Sequence, residues 1–350
     1  MLSPFDSMRG RGILLLLCAA GLPLVAAAQT TPQEVFEVSA TKYLLGTQID
    51  FKAMCAEVVA CKKAFYAGFQ ERERIMALLG SPKPESEISK INRHSGLKPV
   101  KVSYETFSIV KRAVAYSAEF HGAFDVTIGP VTELWGFNSD REVTIPRQDT
   151  LQMLLPLVNY RQVVLSETDT TVFLTRRGMR LDLGGIAKGY AIDRAAAVLK
   201  NHGLSHFLIN AGGDIYACGY KWQDEPWLLG IQHPRKPQEL LATFQVHDMA
   251  VATSGDYERY RIIDGKRYHH ILNPATGFPS RMCESVSVFA RSAEEADALA
   301  TCLFVLGYEK APDILPGKRV QTVIVDGSGG LHIDPSVKAD YRLTVVDQTP

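Results

Sequence analysis

The chain has 350 residues, in which 38 Lys and Arg balance 38 Asp and Glu. At 46% hydrophobic and 22% charged it is too apolar for a disordered chain, and its six cysteines are too few for a disulfide framework. A net charge of zero offers no field for nucleic-acid phosphates.

Residues 1–28 are predicted to stand apart from the globule. Arg9 and Arg11 precede an apolar run from Ile13 to Ala20, and Ala26 and Ala28 form a small-residue cleavage pattern before Gln29. That is the form of a secretory signal peptide. The apolar core is too short to span a hydrocarbon layer of ~30 Å. Leu17 before Cys18 is bulky where a lipid-modified signal needs a small residue. The expectation is a soluble periplasmic protein, residues 29–350, without a lipid anchor. Cleavage removes Arg9, Arg11 and Asp6, leaving 36 basic and 37 acidic groups and five cysteines. An exported chain can form disulfides, and Cys55 and Cys61 are close enough in sequence to pair across a strand–helix turn. The alternative is that all five cysteines are small buried hydrophobes. His202 and His206 read as surface or capping histidines, because Gly203 lies between them and no Glu follows the first.

In chain order, 43–54 is predicted as a strand. Residues 57–79 form an amphipathic helix stopped by Gly80, Pro82 and Pro84. Ser103 to Phe120 is a second helix, with Phe107, Val110, Val114 and Ala118 on one side. Val163–Leu165 and Val172–Leu174 make a hairpin around Glu167–Asp169. A helix from Ile186 to Lys200 stops at Gly203, and strands follow at 206–210, 227–232, 241–246 and 285–290. A further helix starts at Ala293, with Ser292 and Glu295 as a capping box and Gly307 as its stop. The tail, 320–346, adds strands. The mixture predicts an α+β domain without a dinucleotide fingerprint or a Walker A sequence.

Four segments carry chemical character. GAFDVTIGP spans Gly122–Pro130 and leads to Leu134, Trp135 and Gly136. DLGGIAKGYAID spans Asp182–Asp193, where Gly184 and Gly185 precede a helix start that suits a phosphate, with Lys188 in its first turn. A plain strand–turn–helix connection with a surface Lys fits the same residues, and the Gly-rich NAGGDI (Asn210–Ile215) is equally ambiguous. The third cluster joins SGDYERY to HHILNPATG, in which His269 and His270 precede a turn and either imidazole can take a proton near neutrality. DALAT places Asp297 and Thr301 four apart on one helix face, two hard oxygen donors that suit Mg²⁺ better than zinc. Taken alone, this pair equally fits a solvated Asp beside a back-bonded Thr.

Together these motifs, in this order and spacing from about Leu44 to Leu306, resemble the ApbE family of FAD:protein FMN transferases. The resemblance implies an exported, T-fold-like α+β protein that binds FAD with Mg²⁺. Such a protein cleaves the pyrophosphate, attaches FMN to Ser or Thr of a target in a membrane redox complex, and releases AMP. By the same resemblance Leu45, Ala123, Phe124, Asp125, Asp182, Lys188 and Ile271 meet the flavin nucleotide, Ile271 through its backbone. Gly185 (by its carbonyl), Asp297 and Thr301 hold the metal, and His270 takes the proton of the attacking hydroxyl. The chain departs from the family pattern at three places. Leu45 stands where the family has Met, Pro82 where it has Tyr, and Asn273 where it has Asp. Two other activities share these motifs: an Mg²⁺-dependent FAD diphosphatase giving FMN and AMP, and a flavin-binding protein without catalysis.

Overall fold

Alternating inward side chains along several strands fix the architecture. The computed structural model describes residues 34–44, 47–80, 83–137 and 143–346. Eight strands, all paired antiparallel, form the main sheet. Their spatial order is Phe36–Leu44, Thr47–Cys55, Phe207–Ala211, Asp214–Cys218, Met249–Gly255, Cys283–Ala290, Gln321–Asp326 and Leu331–Ile333. Phe51, Phe207, Ile209, Ala252, Val286 and Val288 face one core, while Leu208, Ala217, Val251, Phe289 and Val323 face another. Both faces are buried in the middle of the sheet, where Phe207–Ala211 and Cys283–Ala290 are buried along almost their whole length.

The first face is covered by three helices, Val58–Leu79, Ala187–Asn201 and Ala293–Leu306. On the second face lies a three-stranded sheet of Trp227–Gln232, Leu240–Val246 and Thr344–Val345. The α+β reading is borne out. The 43–54 strand is corrected: it is two antiparallel strands, Phe36–Leu44 and Thr47–Cys55, which pair from Phe36 opposite Cys55 to Leu44 opposite Thr47. The first was missed because its exposed, polar alternation resembles a loop. Cys55 and Cys61 form a disulfide, with Cα atoms 6.3 Å apart. Cys218, Cys283 and Cys302 are free and buried. His202 caps the C-terminal end of its helix, as the sequence suggested. The signal-like residues 1–28, Leu45, Gly46 and Pro82 lie outside the described residues.

A third, smaller core brings distant motifs together. Trp135, in the helix Gly129–Trp135, packs with Val131, Leu151 and Leu272, and its Nε1–H donates to Gly277 O at 2.7 Å. The GAFD segment is thereby fastened to the HHILNPATG turn, 142 residues later.

Candidate functional site

Ala187–Asn201 and Ala293–Leu306 pack face to face, and the site lies where they cross. Gly189 makes the crossing possible: a Cβ there would sit 2.0 Å from Ala293 O. Asp193, one turn further on, accepts from the backbone N–H groups of Ala293 and Glu294 at 2.8 and 2.9 Å. It satisfies two orphan donors at that helix start and adds negative charge at its positive end. Ser292 Oγ accepts from Glu295 N–H at 3.2 Å, as the capping pattern predicted. Asp193 and Gly189 thus set the register of the helix that carries Asp297 and Thr301. Gly189→Ala should destabilise the chain by about 3 kcal/mol, because backbone atoms have to separate, and denaturant unfolding measures that loss.

The segment before the first helix is held from both sides. Asn92 brackets Leu181, with Nδ2–H donating to its carbonyl at 3.0 Å and Oδ1 accepting its N–H at 2.7 Å. Asp182 N–H donates to Val126 O at 2.8 Å, which sets DLGG beside GAFDV. Asp182 Oδ1 accepts from Gly184 N–H at 2.8 Å and shapes the turn. A Cβ on Gly185 would come within 3.0 Å of both Phe124 Cε2 and Thr301 Oγ1. Phe124, Gly185 and Thr301 are therefore neighbours, and the glycine keeps the space between them open.

Asp297 is 2% exposed. Its Oδ2 accepts from Gly189 N–H at 3.0 Å, and its Oδ1 lies 3.7 Å from Lys188 Nζ. Burial pushes its carboxyl above the ordinary range, against the pull of Lys188. Lys188 Nζ itself donates to Asp214 Oδ2 at 2.5 Å. Burial opposes the charge of that ammonium, but Asp214 and Asp297 more than offset it and hold its pKa above the usual lysine range.

His270 N–H donates to Arg259 O at 3.1 Å, and its ring Nδ1 meets the same carbonyl at 3.3 Å. A carbonyl only accepts, so Nδ1 carries the proton and Nε2 is the basic nitrogen. Burial, with the Arg259 and Lys188 cations, holds this imidazole well below its ordinary value. His269 is different: it is buried against Phe304, and its Nε2 faces Ser280 O at 2.7 Å.

Gly185, Lys188, Asp297, Thr301 and Phe124 come together as adjacent residues, and His270 lies within the field of Lys188. The carboxylate of Asp125 points inward. It accepts from Thr127 N–H at 2.8 Å, Thr127 Oγ1 at 2.6 Å and Tyr160 N–H at 3.1 Å. Ala123 shares that segment. The backbone of Ile271 is already paired, its N–H with His269 Nδ1 at 3.3 Å and its carbonyl with Ser280 N–H at 3.0 Å. Asn273 Oδ1 accepts from Ala275 N–H at 2.9 Å and organises its own turn. Sequence reasoning missed Asp214, although the NAGGD pattern contains it, because nothing local shows that its carboxylate turns toward Lys188. It missed Arg259 because a backbone carbonyl leaves no sequence signal.

Among the described residues no three His, Cys, Asp or Glu side chains converge as a metal cluster. A hard divalent cation nevertheless suits the chemistry present: Asp297 and Thr301 offer a carboxylate and a hydroxyl four residues apart on one helix, and Gly185 lies against Thr301.

Comparison with known proteins fits this arrangement. Residues 45–324 match the model of the ApbE family. A Treponema pallidum protein named FAD:protein FMN transferase is 36% identical over 300 residues, covering 80% of this chain and 82% of its own length. A Klebsiella pneumoniae protein of the same name is 37% identical, over 69% of this chain and 75% of its own. The ApbE protein of Thermotoga maritima has a similar crystal structure, with a TM-score of 0.79 and 32% identity, covering 87% of this chain and 99% of that one. The flavin transferase ApbE of Vibrio cholerae gives a TM-score of 0.76 at 28% identity, with the same coverage. The chain belongs to the ApbE family.

Proposed function

We propose that this chain is an exported flavin transferase, which moves FMN from FAD to a Ser or Thr hydroxyl of a target protein and releases AMP. The observation that carries the reading is one junction of helices that gathers a cation (Lys188), a buried carboxylate (Asp297) and a hydroxyl (Thr301), with the His270 imidazole within the field of that cation. The activity in the names of its relatives supports it.

In this reading Ala123, Phe124, Asp125, Asp182, Lys188 and Ile271 line the FAD, as does Leu45, with Asp125 shaping its segment through Thr127 and Tyr160 and Ile271 offering the second lone pair of its carbonyl. Asp297, Thr301 and the Gly185 carbonyl hold Mg²⁺. When bound, the metal supplies charge neutralisation on the pyrophosphate. Lys188, in the first turn of the helix Ala187–Asn201, adds a second positive charge beside the phosphates. The acceptor hydroxyl oxygen forms a bond to the FMN phosphorus as the bond between that phosphorus and the bridging oxygen breaks. AMP leaves with the electron pair, and the hydroxyl proton passes to His270 Nε2. Water in place of the hydroxyl turns the same step into diphosphatase chemistry.

The signal-like residues 9–28 support export to the periplasm with cleavage after about Ala28, and the Cys55–Cys61 disulfide is at home in an oxidising compartment. A subunit of a membrane redox complex is the proposed target.

Incubation of the protein with FAD, Mg²⁺ and an acceptor peptide tests the reading by mass spectrometry. Peptide carrying the added mass of FMN, with one AMP per event, is the expected product. Free FMN and AMP alone would mean hydrolysis, and intact FAD would mean binding without catalysis.

A further inference from the structure

Lys188 stands between two carboxylates that do not share it equally. Its ammonium is 2.5 Å from Asp214 Oδ2 and 3.7 Å from Asp297 Oδ1. The first separation is a hydrogen bond, and the second is too long for one. Each carboxylate has its other oxygen tied to backbone. Asp214 Oδ1 accepts from Thr253 N–H at 3.2 Å, and Asp297 Oδ2 accepts from Gly189 N–H at 3.0 Å. Asp297 Oδ1 is therefore the oxygen left for a cation, and Lys188 is the internal cation that competes for it.

Strand pairing brings Asp214 to this place. Met249–Gly255 pairs with Asp214–Cys218 only as far as Val251, opposite Ile215. Beyond that point Thr253 N–H takes the Asp214 carboxylate in place of a backbone carbonyl. Asp214 is 1% exposed, so its charge is screened little by water and its hold on Lys188 is strong.

We infer that Asp214 is a positioning residue that keeps the Lys188 ammonium off Asp297 Oδ1. That oxygen is then left to the divalent cation, and the ammonium is left to the pyrophosphate. The inference rests on the proposed metal site and goes beyond it, since Asp214 is not among the proposed ligands. Without the charge of Asp214, the carboxylate already within 4 Å of the Lys188 ammonium is Asp297, while Glu258 acts on it only through the electrostatic field. A metal ion then has to displace an ammonium before it binds. A simpler rival is that any buried anion nearby attracts a cation.

The two accounts separate in a double-mutant cycle on the full chain. Mn²⁺ alone is the probe, followed by the electron paramagnetic resonance signal of the free ion. Asp214→Asn should weaken Mn²⁺ binding about tenfold, as loss of a buried charged partner does. In a Lys188→Met background the same substitution should change it less than about twofold, because the competitor is gone. Equal weakening in both backgrounds would leave only the long-range field and overturn the inference, as would no weakening in either. No saturable Mn²⁺ binding by the unmodified chain would remove the metal site and this inference with it, whatever the FMN-transfer assay reports. Arg72, 4% exposed, also lies in the field of Asp214, so the neutral variant costs some stability. Circular dichroism at the assay temperature checks the fold. Asp214→Ser, whose hydroxyl can still accept from Thr253 N–H, serves in the same cycle if the Asn variant does not fold.

Discussion

Asp297→Asn is expected to reduce Mg²⁺-dependent FMN transfer about a thousandfold or more, because metal stabilisation of a phosphoryl transition state is worth several kcal/mol. The amide keeps the shape and one acceptor, so Gly189 N–H retains a partner and the two helices stay in register. Asp297→Ala loses that acceptor as well and leaves a buried N–H unpaired, at about 1–3 kcal/mol. The Asn variant therefore isolates the metal role, while the Ala variant combines it with a fold defect. Transfer rates against Mg²⁺ concentration, alongside denaturant unfolding, distinguish the two. Unchanged turnover in a folded Asn variant would remove Asp297 from the metal site. The raised carboxyl of Asp297 adds a direction in pH. Its protonated form does not bind a cation, so the Mg²⁺ requirement should grow as the pH falls, and sooner than for an ordinary carboxylate.

How much of this site could be read from the sequence depends on how local each feature is. The helix Ala293–Leu306 was legible with both ends and its Asp297–Thr301 pair, because a cap, a stop and a four-residue spacing are all local. The helix Ala187–Asn201 was legible for the same reason. The strand Met249–Gly255 was not, since its β-branched Val251 and Thr253 are separated by Ala and followed by Ser and Gly, which leaves no β-branched run. Its place in the sheet comes from pairing with Cys283–Ala290 from Ala250 to Gly255. Asp214 depends on that strand, so its role was hidden too. Asp125 illustrates the reverse: the motif that holds it was evident, but its carboxylate is committed to Thr127 and Tyr160. A motif locates a segment, whereas the direction of one side chain is settled by its hydrogen-bond partners, here Thr127 within the motif and Tyr160 35 residues away. Asp193 makes the same point, since its work is done on a helix 100 residues later.

His270→Ala is expected to slow transfer by about 10²–10⁴-fold, the usual worth of a positioned general base, with FAD affinity changed less than about threefold. The imidazole suits that task because its Nδ1 is occupied by Arg259 O, which leaves Nε2 as the acceptor. Burial and two neighbouring cations disfavour the charged form, so a neutral base is available without help from a carboxylate. That bears on Asn273, whose amide is already engaged with Ala275 N–H and whose replacement of an Asp leaves His270 neutral in any case. The pH profile carries the sign of this argument. A base with a lowered pKa loses activity only when acid protonates it, so the acid limb of kcat should lie below the ordinary imidazole value of 6.5 and be absent in the variant. Equal losses in kcat and in FAD binding would make His270 a binding residue instead. An acid limb that survives in His270→Ala would assign the proton to another group.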